Sequence, residues 1–188
     1  VYTLGNWGVL GNVVFKNWRT ADLRDFEPTK QFAGLDFGYA EDPAALIVGS
    51  YDKARKRVYI LKEHYERKLT NDKLAGVLRE AIGKMVVRCD SAEPKSIQEL
   101  RNEGINAYPC KKGKDSILHG LQWLQQQELI VDKECVNFIR EIQTYKWQQD
   151  KEGNAIPKPV DANNHLIDAL RYGAEEYMAE HRVKIAAI

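Results

Sequence analysis

A chain of 188 residues with 44% hydrophobic and 29% charged side chains has the size and composition of one globular domain, which excludes a disordered or fibrous protein. Its net charge of +1 gives no global attraction to nucleic acid, so any DNA binding must rest on local basic patches or metal ions. No apolar run approaches the roughly 20 residues of a spanning helix and no basic-then-apolar segment opens the chain, so a soluble intracellular protein with no membrane partner is expected.

Residues 1–30 mix glycine, aromatic and charged residues without sustained periodicity and read as a connector that packs on the main domain, residues 31–188. Val1 in place of methionine points to further chain upstream. From Phe32 to Phe37, Ala44 to Gly49 and Val58 to Leu61 run three short apolar segments, divided by the turn-like "YAEDP" and "YDKARKR". They predict an antiparallel meander. "TNDKLAGVLREAIGK" then places Leu74, Val77, Leu78 and Ile82 at helical spacing behind Thr70 as N-cap.

"MVVRCD" reads as a buried strand, "PKSIQELRNEG" as a helix with proline in its first turn and Gly104 at its close, and "INAYPC" as a further strand. Strand, helix and strand in one short segment form a βαβ unit with parallel pairing. Helices are predicted in "DSILHGLQWLQQQ" and "CVNFIREIQTY", with a short strand at "LIV" between them. "YKWQQDKEGNAIPKP" reads as a hairpin around "DKEGN", and a helix from about Asn163 to Glu180 closes the chain. Cys89, Cys110 and Cys135 stand far apart without CxxC spacing, so they are expected as reduced core thiols rather than disulfides or zinc ligands.

Within the last helix, Asp168 lies among Leu166, Ile167, Ala169 and Leu170. A carboxylate in that setting needs a partner to offset lost hydration, and the sequence reading finds no neighbouring cation to supply it. The element order, three strands, helix, strand, helix, strand and then helices, resembles the ribonuclease H-like fold: α/β, with a mixed central sheet flanked by helices and here an extra C-terminal β-hairpin. By that resemblance Asp36, ending an apolar run in "GLDFG", and Asp90, ending "MVVRCD", converge with Asp168. Three such carboxylates would repel one another unless divalent cations lay between them. Oxygen-only ligands suit Mg²⁺ or Mn²⁺, and two ions roughly 4 Å apart activate water and stabilise the leaving oxygen of a phosphodiester. His165 shares a helical face with Asp168, and ligation, proton transfer and hydrogen bonding to a carboxylate all stay open for it.

"GLDFGYAEDPAALIVG", "RCDSAEPKSIQELRNEGINAYPCKKGKDSILHGLQWLQ" and "NNHLIDALRYGAEEY" together resemble the C-terminal nuclease domain of the large terminase subunit of tailed bacteriophages, and "GNWGVLGNVVFKNW" resembles the segment joining that nuclease to its motor. The resemblance covers nearly the whole chain. It implies a metal-dependent, largely sequence-independent endonuclease that cuts concatemeric viral double-stranded DNA during packaging, in the cytoplasm of an infected bacterium. Asp36, Asp90 and Asp168 would be its metal-binding acids, holding two Mg²⁺ or Mn²⁺ ions, with His165 at the site. Partners implied are an upstream ATPase domain, the portal and the small terminase subunit. No GxxxxGK[ST] loop is present, so residues 1–30 would connect to an ATPase lying outside this chain.

Lys111, Lys112 and Lys114 in "KKGK" are candidates for DNA phosphate contact, against a solvated turn. Arg55, Lys56 and Arg57 are read as a hairpin turn rather than a second basic DNA contact, Asp42 as a turn residue rather than a neighbour of Asp36, Glu93 as a helix entry rather than a metal contact, and Trp147 as packing rather than base stacking. Another ribonuclease H-like nuclease, a resolvase or hybrid-cleaving enzyme, and a non-catalytic docking module are the competing readings.

Overall fold

The computed structural model describes residues 12–111, 113 and 115–178. Its strands are β1 (Trp18–Ala21), β2 (Gln31–Asp36), β3 (Ala44–Asp52), β4 (Arg57–Glu66), β5 (Val87–Cys89), β6 (Ala107–Pro109), β7 (Glu128–Asp132), β8 (Trp147–Gln149) and β9 (Ala155–Pro159). The helices are α1 (Asn71–Ile82), α2 (Pro94–Asn102), α3 (Ser116–Gln125), α4 (Val136–Thr144) and α5 (His165–Gly173). Seven strands make one sheet in the order β1-β7-β4-β3-β2-β5-β6, and β8 and β9 form a separate hairpin.

The meander β2-β3-β4 is antiparallel, whereas β5 and β6 extend the sheet in parallel beyond β2, and β7 and β1 extend it in parallel beyond β4. This mixed sheet carries helices on both faces. Strand alternation assigns the faces: Ala33 and Leu35 of β2 and Val87 and Cys89 of β5 pack with Leu74 and Leu78 of α1 and Leu100 of α2. Phe32 of β2 packs on the other side with Phe138 and Ile142 of α4 and Leu166, Ile167 and Leu170 of α5. Period-two alternation therefore turns Asp36 and Asp90 toward the α5 face.

Helix α5 lies directly on the β2 backbone because two glycines meet there. A Cβ on Gly34 would stand 1.8 Å from the Ala169 carbonyl oxygen, and one on Gly173 would stand 2.9 Å from the Gly34 nitrogen. Neither position accepts any side chain without displacing backbone.

Two expectations need correction. Trp18–Ala21, placed by sequence in a connector without strand character, form an edge strand parallel to β7. Its half-exposed burial pattern carries no alternation, and its partner lies more than a hundred residues downstream. The last helix, expected to run unbroken from about Asn163 to Glu180, ends at Gly173; Ala174 forms a turn and helix resumes at 175–178, while 179 and 180 lie outside the described residues. Glycine, a weak helix former, sits at the break, where α5 is pressed against β2.

The hairpin follows its prediction, with Asp150 Oδ1 accepting the N–H groups of Glu152 and Asn154 and Gly153 at φ 86°. Trp147 packs against the core. All three cysteines are buried and none forms a disulfide. No helix among the described residues is long and apolar enough to cross a membrane.

Candidate metal centre

Asp36 ends β2, and Asp90 follows β5 immediately, its N–H donating to the Leu35 carbonyl at 3.1 Å. With Leu35 opposite Cys89 in the parallel ladder, the two aspartates leave neighbouring strand ends side by side. Asp168 comes from the first turn of α5, and His165 from the first residue of that helix. The carboxyl ends of adjacent parallel strands are a recurrent place for ligands in open α/β sheets.

Each carboxylate is held by a protein group. His165 Nδ1 is 3.0 Å from Asp36 Oδ2, so of the three roles left open for His165, hydrogen bonding to a carboxylate is the one its geometry displays. His165 Nε2 also lies 3.4 Å from Asp42 Oδ1, which brings to the site a residue read from sequence as a turn position. Asp90 Oδ1 accepts the Ala92 N–H at 2.8 Å, a local turn ahead of α2, whose N-cap position is Glu93. Arg171 donates to Asp168 Oδ1 from Nε at 3.1 Å and from a terminal nitrogen at 2.8 Å.

The Arg171 pair answers the question that the apolar surroundings of Asp168 raised, and it corrects the sequence reading. A cation does stand nearby, three residues along the same helix. The Arg171 side chain is only 6% exposed, and that of Asp168 18%. Burial alone would lower the guanidinium pKa, but the Asp168 carboxylate more than offsets it.

The electrostatics tie the three acids together. Burial pushes the Asp36 carboxyl above its usual range; the His165 hydrogen bond opposes this, and the negative charges of Asp168 and Asp90 add to it. The hydrogen bond to Asp36 raises His165 above its ordinary value, with Asp42 and Glu141 acting in the same sense, so its charged form is favoured. Tyr172, on the same helix, has its phenol raised first by burial and then by Asp168, Asp36 and Asp90, which places one hydroxyl within the field of all three.

Two clefts meet at Asp168. One, of about 560 Å³, is shared by Asp90, Lys111, Ile117, Asp168 and Tyr172. The other, of about 460 Å³, lies between α3 and the β8-β9 hairpin and is lined by Ile117, Tyr145, Lys158, Asn164 and Asp168 among others. Lys111 is exposed, its backbone N–H anchored to Glu175 at 2.7 Å; Lys112 and Lys114 lie outside the described residues. Arg55 pairs with Asp52 and Arg57 with Glu128, as expected of a solvated hairpin turn. Glu93 accepts the Ser96 hydroxyl at 3.2 Å and stays at the helix entry.

Among the described residues no three His, Cys, Asp or Glu side chains form a ready-made ligand set. Asp36, Asp90 and Asp168 are turned instead to His165, the Ala92 N–H and Arg171. The chemistry of the group still suits a hard divalent cation: its donors are carboxylate oxygens, and the repulsion from Asp168 and Asp90 that adds to the effect of burial on Asp36 is the kind an ion of charge +2 relieves.

Sequence reasoning did not single out Arg171, Tyr172 or Glu141. Arg171 was visible as an acid and a base three apart on one helix, and Glu141 as an acid within the apolar stripe Phe138, Ile142 and Tyr145.

A family model described as the terminase ribonuclease H-like domain matches residues 36–176. The large terminase subunit of Bacillus phage SPP1 is 37% identical over 170 residues, covering 88% of this chain and 40% of that protein. The large terminase subunit of Escherichia phage T5 is 36% identical over 162 residues, covering 80% of this chain and 36% of that protein. The chain thus spans about two fifths or less of the curated relatives it matches. The crystal structure of the SPP1 large terminase nuclease domain with bound Mn superposes with a TM-score of 0.81 at 34% identity, covering 88% of this chain and 99% of that one. The nuclease domain of the P22 large terminase, at 19% identity and a TM-score of 0.65 over 86% of this chain and 87% of that one, shares the fold.

Proposed function

That this chain belongs to the terminase ribonuclease H-like domain family is the premise from which we propose that it is a divalent-metal-dependent endodeoxyribonuclease. It cuts concatemeric viral DNA, largely without regard to sequence, during genome packaging. The observation that carries this reading is geometric: Asp36 and Asp90 leave neighbouring strand ends, Asp168 lines one cleft with Asp90, and His165 of the same helix turn meets Asp36. The manganese in the similar SPP1 nuclease domain supports the same reading.

Asp36, Asp90 and Asp168 are the residues that would hold Mg²⁺ or Mn²⁺, as two ions. Bound ions of this class activate water and neutralise charge on the leaving oxygen of a phosphodiester. The chain's own groups prepare the place. His165 holds Asp36 in one orientation and, when protonated, offsets part of the negative charge, as Arg171 does for Asp168. Lys111 contacts DNA phosphate at the mouth of the first cleft, and Lys112 and Lys114, next to it in the basic sequence "KKGK", are assigned the same partner. The stretch of sequence ahead of β1 connects to an ATPase domain upstream, and the complete protein works with the portal and small terminase subunit in the cytoplasm of the infected host.

The test is cleavage of supercoiled plasmid with Mn²⁺, Mg²⁺ or EDTA. Asp168→Asn is a cleaner probe than Asp168→Ala, because the amide oxygen still accepts a hydrogen bond from Arg171 even though the counter-charge is lost. Metal-dependent nicking that falls by on the order of 10³-fold in Asp168→Asn, Asp36→Asn and Asp90→Asn is expected. A folded chain that binds Mn²⁺ yet never cuts would favour a docking module, and a variant that cuts at the parent rate would remove that residue from the site.

A further inference from the structure

Helix α5 carries both His165 and Asp168 on its first turn, yet it does not cap itself. Its N-cap residue, Asn164, makes no side-chain capping bond, and its amide lies instead 3.5 Å from Asp168 Oδ2. The N–H groups of Leu166 and Ile167, which a helix start leaves without intrahelical partners, are taken by Glu141 Oε2 of α4 at 2.9 and 3.2 Å. Glu141 is 4% exposed, and its Oε1 is buried without a hydrogen-bond partner among the described residues. A carboxylate so deeply buried with one oxygen unserved is costly, and here it is spent on the turn that bears two of the site residues.

We propose that Glu141 is a positioning residue of the nuclease: reaching across from α4, its Oε2 fixes the first turn of α5 and thereby sets His165 and Asp168 against Asp36. The helix dipole favours an acceptor at this end. Burial pushes the Glu141 carboxyl up to about 7, and a neutral carbonyl oxygen accepts the same two N–H bonds, so the role depends on reach and acceptor geometry rather than on charge. A matched case sits one helix away. Glu63 of β4 accepts the N–H groups of Asn137 and Phe138 at 2.9 and 2.7 Å and so caps the first turn of α4, the helix that carries Glu141 further along.

The inference rests on the nuclease reading above, and Glu63 supplies the control. Glu141→Gln keeps an oxygen at the same reach; Glu141→Asp withdraws it by one methylene; Glu63→Ala removes a cap of the same kind from the first turn of α4, leaving the Glu141 contact to α5 in place. Steady-state plasmid cleavage, Mn²⁺ affinity and amide exchange at Leu166 and Ile167 are measured well below each variant's melting temperature. Expected for Glu141→Asp are faster exchange at both amides, weaker Mn²⁺ binding and a kcat reduced about ten- to a hundredfold with KM for DNA little changed. Glu141→Gln stays near the parent in all three, and Glu63→Ala melts earlier but keeps its kcat.

The proposal is overturned if Glu141→Asp exchanges faster at both amides yet turns over like the parent, if Glu141→Gln fails alongside it, or if Glu63→Ala loses as much kcat while Leu166 and Ile167 exchange as in the parent. Should the parent itself show no metal-dependent cutting, the nuclease reading fails, while amide exchange and Mn²⁺ affinity still decide whether Glu141 positions the turn.

Discussion

Two ion pairs in this molecule have the same sequence spacing and nearly the same length. Arg171 and Asp168 are three residues apart at 2.8 Å, and Asp52 and Arg55 are three residues apart at 2.9 Å. The first joins side chains 6% and 18% exposed on a helix packed against the sheet; in the second the arginine is 67% exposed on a hairpin turn. Geometry alone does not rank them. Burial removes most of the water that competes at the first pair, above all at Arg171, whereas Arg55 exchanges one good partner for another. The same contrast runs through the carboxyl groups: at the surface Asp22 is held below its usual range by Arg24 and Lys133, while at the metal centre Asp36 is pushed above it by burial.

The sharpest test of the contrast is Arg171→Met. It keeps an unbranched apolar stem and leaves Asp168 buried without its cation, so stability should fall by about 3–5 kcal/mol in EDTA. Added Mn²⁺ should return part of that loss by supplying charge at the same carboxylate, as a ligand that binds only the folded chain must. Thermal melting with and without metal measures both. A loss under about 1 kcal/mol would mean that Asp168 is far better solvated than its exposure implies.

A smaller effect comes from Glu141. Its carboxyl titrates near 4.5 in the unfolded chain and at about 7 when folded, so between those values the folded chain binds more protons. Stability from this group is therefore greatest at the acid end of the window and declines as pH rises through it. The gap from 4.5 to about 7, at about 1.4 kcal/mol per pH unit, sets a ceiling of about 3–4 kcal/mol. Asp36 acts in the same direction, so the informative quantity is the difference between parent and Glu141→Gln, which should show the flatter profile in EDTA. Denaturant melts at pH 5 and pH 7.5 measure it, and parallel profiles would remove Glu141 as the source.

What the sequence disclosed follows from how local each signal was. The meander, the βαβ unit and the Asp150 to Asn154 hairpin turn were legible because alternation, helical spacing and turn chemistry are properties of adjacent residues. Strand β1 was not, since Trp18–Ala21 acquires its pairing only from β7. Asp168 stood out because apolar neighbours made an acid conspicuous, yet the same stretch concealed its partner: Arg171 is also buried, and an arginine near the end of a helix reads as a solvated residue. The seating of α5 was hidden most completely. Gly34 and Gly173 look like ordinary glycines until the helix is laid on the strand and no room remains for a Cβ at either.

The smallest expected effect lies at the other pole of the comparison. Arg55, Lys56 and Arg57 form the most basic triplet among the described residues of the β3-β4 turn, so a DNA-binding role competes with a structural one there. Arg57 is committed to Glu128, an acid that Arg19 of β1 also contacts, and Arg55 is committed to Asp52, whose carboxylate also accepts the Arg55 N–H at 3.0 Å. Neither lines the clefts that meet at Asp168. Arg55→Ala should therefore change stability by less than about 0.5 kcal/mol and leave DNA affinity and its salt dependence where they were. Lys111→Ala, facing the first cleft, should weaken DNA binding and shallow the salt slope by about one. Salt titrations of the two variants side by side measure this, and a loss confined to Arg55→Ala would move the DNA path to the hairpin turn.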